Sequence, residues 1–193
     1  MTLTANFDPI AEAIRDAGGV PEAFAEAFKA PHDETKPREL VIICYSGDLE
    51  KTWASLILAS TAAASGVPTK MFLTFWGLQT FVKDEVRITG TNWMQKLLSM
   101  MQRPGISHRK LSKMNFLGMG PWMMGTLAKQ YGVAKPKELL EAAMALGVEL
   151  MPCQMTMDMF GLKREDMIDG MGEPVGAATV IELLANGAAP LFI

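Results

Sequence analysis

The 193-residue chain holds only two cysteines, two histidines and two tyrosines, and each shortage narrows what it can do. Cys44 and Cys153 cannot form a disulfide framework for a chain of this length. The opening "MTLTANFDPI" carries neither a basic stretch nor an apolar run, so no secretory leader is expected and the reading is a reducing, cytoplasmic protein. His32 falls in a polar linker and His108 in a basic loop. Neither has a partner at ligand or triad spacing, which argues against a Cys–His hydrolase. No G-x-G-x-x-G follows a strand pattern and no G-x-x-x-x-G-K-[ST] occurs, so nucleotide binding lacks a phosphate loop. No stretch approaches the roughly 18–20 apolar residues of a membrane-spanning helix.

Acidic residues are missing from the middle of the chain. None lies between Glu85 and Glu138, whereas Arg87, Lys96, Arg103, Arg109, Lys110, Lys113, Lys129, Lys135 and Lys137 all do. The net charge of −3 therefore hides a basic segment inside an acidic remainder. Such a segment either meets an anionic partner or pairs internally with that remainder. The acidity elsewhere argues against nucleic acid, despite Trp93, Phe116 and Trp122 among the bases.

What is present is a core. Apolar residues make up 49% and charged ones 20%, a globular composition in which one domain with appendages is expected. Residues 1–38 read as a helical extension and linker: Asp8 and Pro9 open one helix, Phe24 and Phe28 sit one turn apart in a second, and "PHDETKPRE" follows. From Leu40 the pattern alternates. "LVIICY", "TKMFLTFWG", "VELMPC" and "APLFI" read as strands. "LEKTWASLILAS", "KPKELLEAAMALG" and "EPVGAATVIELLANG" read as helices ended by Gly66, Gly147 and Gly187. The alternation predicts an α/β fold with a mostly parallel sheet and helices on both faces. Residues 86–132, with seven methionines and two tryptophans, predict two amphipathic helices near 91–102 and 121–131 around a basic loop. Core or oligomer packing is the first expectation for them, and peripheral membrane contact a further one.

Reactive groups in such sheets gather beyond the carboxyl ends of strands. Two positions fall there: the turn Ser46-Gly47-Asp48 and Cys153. The stretch "MPCQMTMDMF" admits three readings of Cys153. As a reactive thiol it would sit where a helix begins, with Gln154 and the amides after it near the sulfur and Met155 and Met159 as a soft wall. As a soft-metal ligand it would share one extended face with Met151, Met155, Met157 and Met159, a set suited to Cu(I). As packing it would be an inert buried cysteine. Cys44, inside its strand, reads as packing, although a Cys44–Cys153 redox pair is conceivable if their strands are neighbours.

"VIICYSGDLEKTWASLILASTAAASGVPTKMFLTFWGL" followed by "GVELMPCQMTMDMFGL" resembles the DsrE/DsrF-like family of sulfur-handling proteins, in its DsrE-like, peroxiredoxin-like-labelled branch. The resemblance covers residues 39–193. It implies a flavodoxin-like parallel sheet of about five strands, a homo-oligomer, and relay of sulfane sulfur as a persulfide on Cys153. Site-wall residues would be Ser46, Asp48, Gln154, Met155 and Met159. Arg103, Arg109, Lys110 and Lys113 would dock a persulfide donor or a thiol acceptor protein, and no cofactor or metal is expected. The alternative is a non-catalytic assembly module that works through residues 86–132.

Overall fold

The computed structural model describes residues 39–193. The expected helical extension at 1–38 lies outside the described residues.

Four parallel strands form the sheet: β1 (Leu40–Cys44), β2 (Thr69–Leu73), β3 (Glu149–Pro152) and β4 (Ala189–Phe192), in the order β3-β2-β1-β4. Beside β3 the segment around Val175 runs as a short parallel strap. Val175 N–H donates to the Pro152 carbonyl at 2.9 Å and Gln154 N–H donates to the Val175 carbonyl at 3.0 Å. The sheet is thus flavodoxin-like with four strands, and this strap stands where a fifth was expected. Pro152 fits because its own carbonyl points outward to the strap. In a parallel ladder the N–H and C=O of one residue face the same side, so the donor it lacks would not have reached β2.

Helix α1 (Leu49–Ala64) buries Thr52, Trp53, Leu56 and Ala59, a stripe at helical spacing. A short helix α2 (Phe75–Thr80) follows β2, so the "FWG" read as strand is helical. Helices α3 (Trp93–Met101) and α4 (Met119–Gln130) occupy the basic segment near their expected places. Helix α5 (Pro136–Ala145) starts on Pro136, and the Glu138 carboxylate accepts from Lys135 N–H at 2.9 Å, filling a first-turn donor's need. Helix α6 (Gln154–Phe160) begins directly after Cys153, and α7 (Ala177–Ala185) precedes β4.

Side chains alternate across the sheet and divide the core in two. Ile42, Cys44, Met71, Leu73 and Leu150 face one side, where Leu56 and Ala59 of α1 and Leu140 and Ala143 of α5 cover them. Val41, Phe72, Met151 and Cys153 face the other, against Val180 of α7 and Ala188. Burying a side chain the size of Leu56 or Met71 contributes about 1.5–3 kcal/mol, so the first layer dominates the stability.

The segment 86–132 meets the core-packing expectation in part. Ile106 joins the main core and Val86 and Leu98 pack against it, whereas Trp93, Met100, Met101, Phe116 and Trp122 are all more than 60% exposed. Polar groups anchor it as well. Gln95 Nε2 donates to the carbonyls of Asp158 and Met159, and Thr89 Oγ1 donates to that of Phe160, so α3 caps the carboxyl end of α6. Among the described residues no helix is long and apolar enough to cross a membrane.

Candidate functional site

The carboxyl ends of the strands line up at one edge of the sheet. Tyr45 N–H donates to the Ile193 carbonyl, Thr74 N–H to that of Cys44, and Cys153 N–H to that of Leu73, all within 2.9–3.0 Å. Cys153 holds extended backbone (φ −76°, ψ 116°) and is the residue from which α6 springs. Its carbonyl accepts from Met157 N–H, the first helical bond. The strand thus ends on the thiol-bearing residue, and the following amides open a helix beside it.

The thiol itself is inside. Cys153 is 4% exposed and packs with Phe72, Met151 and Val180, with Val175 of the strap alongside. Once α6 begins, the methionines fan out: Met157 is buried in the opposite core layer while Met155 and Met159 are 55% and 43% exposed. The shared sulfur face required by the Cu(I) reading therefore does not form. Phe72, Met151 and Val180 pack in the layer that holds the thiol, and Met155 and Met159 stand at the surface of α6. Gln154 is exposed, and its Nε2 donates to Asp158 Oδ1 at 2.8 Å along the helix.

Cys44 is as buried as Cys153, also 4% exposed, but on the other face of the sheet and one strand beyond its neighbour. Opposite faces with β2 between them exclude a Cys44–Cys153 disulfide without rebuilding the sheet. Burial pushes the Cys44 thiol up to about 12, partly offset by Ser55, so it stays protonated at neutral pH.

A hydroxyl pair that the sequence did not single out braces the site. Thr156 Oγ1 accepts from Phe75 N–H at 3.1 Å and lies 3.1 Å from Thr74 Oγ1. Phe75 is held at φ +46°, a left-handed conformation that a non-glycine residue rarely adopts. Thr156 is fully buried, so α6 and the β2–α2 turn are locked together. Gly77, in that turn, donates to the Tyr45 carbonyl, and a side chain there would put its Cβ 2.2 Å from the Cys44 carbonyl oxygen. The only sequence signal for this brace was a Thr in each turn flanking the strands.

The Ser46-Gly47-Asp48 turn sits at the end of β1. Ser46 Oγ donates to Asp48 Oδ2 at 2.9 Å, and Lys51 Nζ donates to the same oxygen at 2.8 Å. The basic loop folds back onto this turn, with Leu49 N–H donating to the Lys110 carbonyl. Arg103, Lys110 and Lys113 are exposed, but Arg109, expected at a docking surface, is 6% exposed and turned inward. His108, expected in solvent, is half-buried, with its Nε2 3.4 Å from the Asp84 carbonyl. Burial alone would raise the Asp84 carboxyl. Two hydrogen bonds from Ser107, helped by His108 and Lys137, hold it below the usual carboxylate range.

A parallel α/β sheet with a cysteine at a strand's carboxyl end, where the next helix starts, defines the class. Residues 36–192 match the DsrE/DsrF/DrsH-like family, and the chain belongs to it. The sulfur carrier protein DsrE2 of Allochromatium vinosum is 35% identical over 159 residues, 81% of this chain and 98% of that protein. The uncharacterized protein YrkE of Bacillus subtilis is also 35% identical, over 156 residues, 81% of this chain and 97% of that one.

Proposed function

We propose that the protein is a cytoplasmic sulfur carrier or sulfurtransferase that holds sulfane sulfur as a persulfide on Cys153. The observation that carries this reading is the position of Cys153 at the junction of β3 and α6, in a chain 35% identical to a protein named as a sulfur carrier. In the proposed step the Cys153 thiolate attacks the outer sulfur of a donor R–S–SH. A new S–S bond forms on Cys153, the donor's S–S bond breaks, and R–S⁻ leaves; an acceptor thiolate later takes the outer sulfur by the same exchange. No net oxidation occurs. The thiol's burial makes loading a gated event, in which the strap at Val175 or the start of α6 moves before the donor reaches the sulfur. The exposed Arg103, Lys110 and Lys113 give an acidic donor or acceptor a docking face.

Intact-protein mass spectrometry after incubation with a persulfide donor tests the reading. One added sulfur, about 32 Da, is expected on wild type and on Cys44→Ala, and none on Cys153→Ser. Sulfur retained by Cys153→Ser would overturn the assignment.

A second reading, a non-catalytic assembly module, is favoured by the exposed apolar face of α3 and α4. Its occupant is a second copy of the chain, because the basic segment complements the remainder, which holds all 21 acidic residues. Light scattering would show an oligomer that Trp122→Glu dissociates. A wild-type monomer at high concentration would refute it, and an oligomer with an unreactive Cys153 would leave it as the sole function.

A further inference from the structure

A cavity of about 400 Å³ opens where the basic loop meets the amino end of α1. Gly47, Asp48, Arg103, His108, Arg109 and Lys110 line it. Three of these are permanent cations. The one carboxylate, Asp48, is already engaged by Ser46 and Lys51. The wall therefore carries an excess of positive charge at the amino end of a 16-residue helix, whose Asp48 side chain makes no capping bond.

Arg109 is the decisive residue. Its Nε donates to the Gly105 carbonyl at 3.1 Å and its Nη2 to the Arg103 carbonyl, which fixes the guanidinium plane. Its Nη1 is buried with no hydrogen-bond partner. A charged donor left unmatched inside a protein costs more than an ordinary unsatisfied group, about 1–3 kcal/mol at the least. The unpartnered nitrogen lies beside Gly47, where a Cβ would stand 2.9 Å from it and 2.7 Å from the Trp76 carbonyl oxygen. The position is also the carboxyl end of β1, the strand from which the sheet order runs to β2 on one side and to β4 on the other. Open α/β sheets bind their ligands at such reversals.

We propose that this cavity binds a small anion, with Arg109 Nη1 donating to one of its oxygens and the exposed Arg103 and Lys110 closing over the rest. The chemistry it selects is an oxoanionic group of charge −1 to −2, such as a sulfonate, thiosulfate, phosphate or carboxylate, matched to a fork of guanidinium donors. That group is supplied either by a free inorganic ion or by the anionic end of a small organic molecule, for which the volume also leaves room. The proposal does not rest on sulfur loading at Cys153.

The test is binding to the full-length protein in chloride buffer at matched ionic strength, by calorimetry and thermal shift. The probes are sulfate, thiosulfate and phosphate for the free ion, and methanesulfonate and succinate for the organic source. At least one probe is expected to bind saturably and raise Tm as its concentration passes Kd. Arg109→Gln should abolish this, and Arg103→Gln/Lys110→Gln, altered only at exposed positions, should weaken it roughly tenfold or more, as loss of charge-assisted bonds does. If Arg109→Gln fails to fold, the double variant decides. Tighter inorganic binding identifies a free ion as ligand, and tighter organic binding identifies a larger molecule. No saturable binding by any probe up to about 50 mM, or an undiminished response in the double variant, as general salt exclusion would give, overturns the proposal.

Discussion

The two cysteines share an exposure of 4% and almost nothing else. Cys44 is in the last turn of its strand's ladder, walled by the thick core layer of α1 and α5, and its thiol is pushed up to about 12. Cys153 stands one residue past its strand, in the thinner layer under α7, with a helix starting on its carbonyl and a two-bond strap beside it. Equal burial therefore says little about equal reactivity. What differs is how much structure must move before a reagent arrives.

Five experiments break or sharpen that contrast. The largest effect is expected from alkylation of the native protein with iodoacetamide, read by peptide mapping. A thiol raised from 9.0 to about 12 has roughly a thousandfold less thiolate at neutral pH, so Cys44 should wait for unfolding, while Cys153, behind the strap and the start of α6, should label first. Equal labelling would erase the distinction. Next, Gly77→Ala drives a Cβ against the Cys44 carbonyl and should destabilise by about 3 kcal/mol or more in urea titration. A neutral outcome would mean that the β2–α2 turn is not packed as described. Thr156→Val removes the acceptor for Phe75 N–H inside the protein and should cost about 1–3 kcal/mol, with faster labelling of Cys153 as the brace under α6 loosens. An unchanged labelling rate would separate the brace from the thiol's gate.

The smallest effects are in pH. The raised Cys44 thiol favours the folded state fully below its unfolded value near 9, and that contribution is lost as pH rises toward about 12. Cys44→Ala should therefore flatten the alkaline limb of the stability curve. Asp84 works in the opposite sense. Its lowered carboxyl contributes above the ordinary carboxylate range and is lost as pH falls through the folded value, so Asp84→Asn should flatten the acid limb.

The strands and the long helices were legible because the strands are short apolar runs and the helices periodic stretches closed by Gly, as in "LVIIC" and "PKELLEAAMALG". The end of β2 was not. "TFWG" continues an apolar run, and tertiary bonds hold it as α2, from Phe75 N–H to Thr156, 81 residues away, and from Gly77 N–H to the Tyr45 carbonyl. The place of Cys153 was legible because the carboxyl end of a strand is a local feature. The shared sulfur face of the Cu(I) reading needed alternation to run across a junction where the period changes from 2 to 3.6. Arg109 was taken for surface because a basic cluster usually is one. Its two main-chain partners lie four and six residues back, in a loop whose fold no periodicity encodes.

Pro152 carries one more consequence. When the strap lifts, β3 becomes the outer edge of a parallel sheet, the kind of open margin onto which a stray strand can zip. That margin lacks a donor at Pro152, because a proline ring occupies the nitrogen facing outward there. On the proposed gating, opening beside the sulfur would not offer neighbouring molecules a full ladder on which to aggregate.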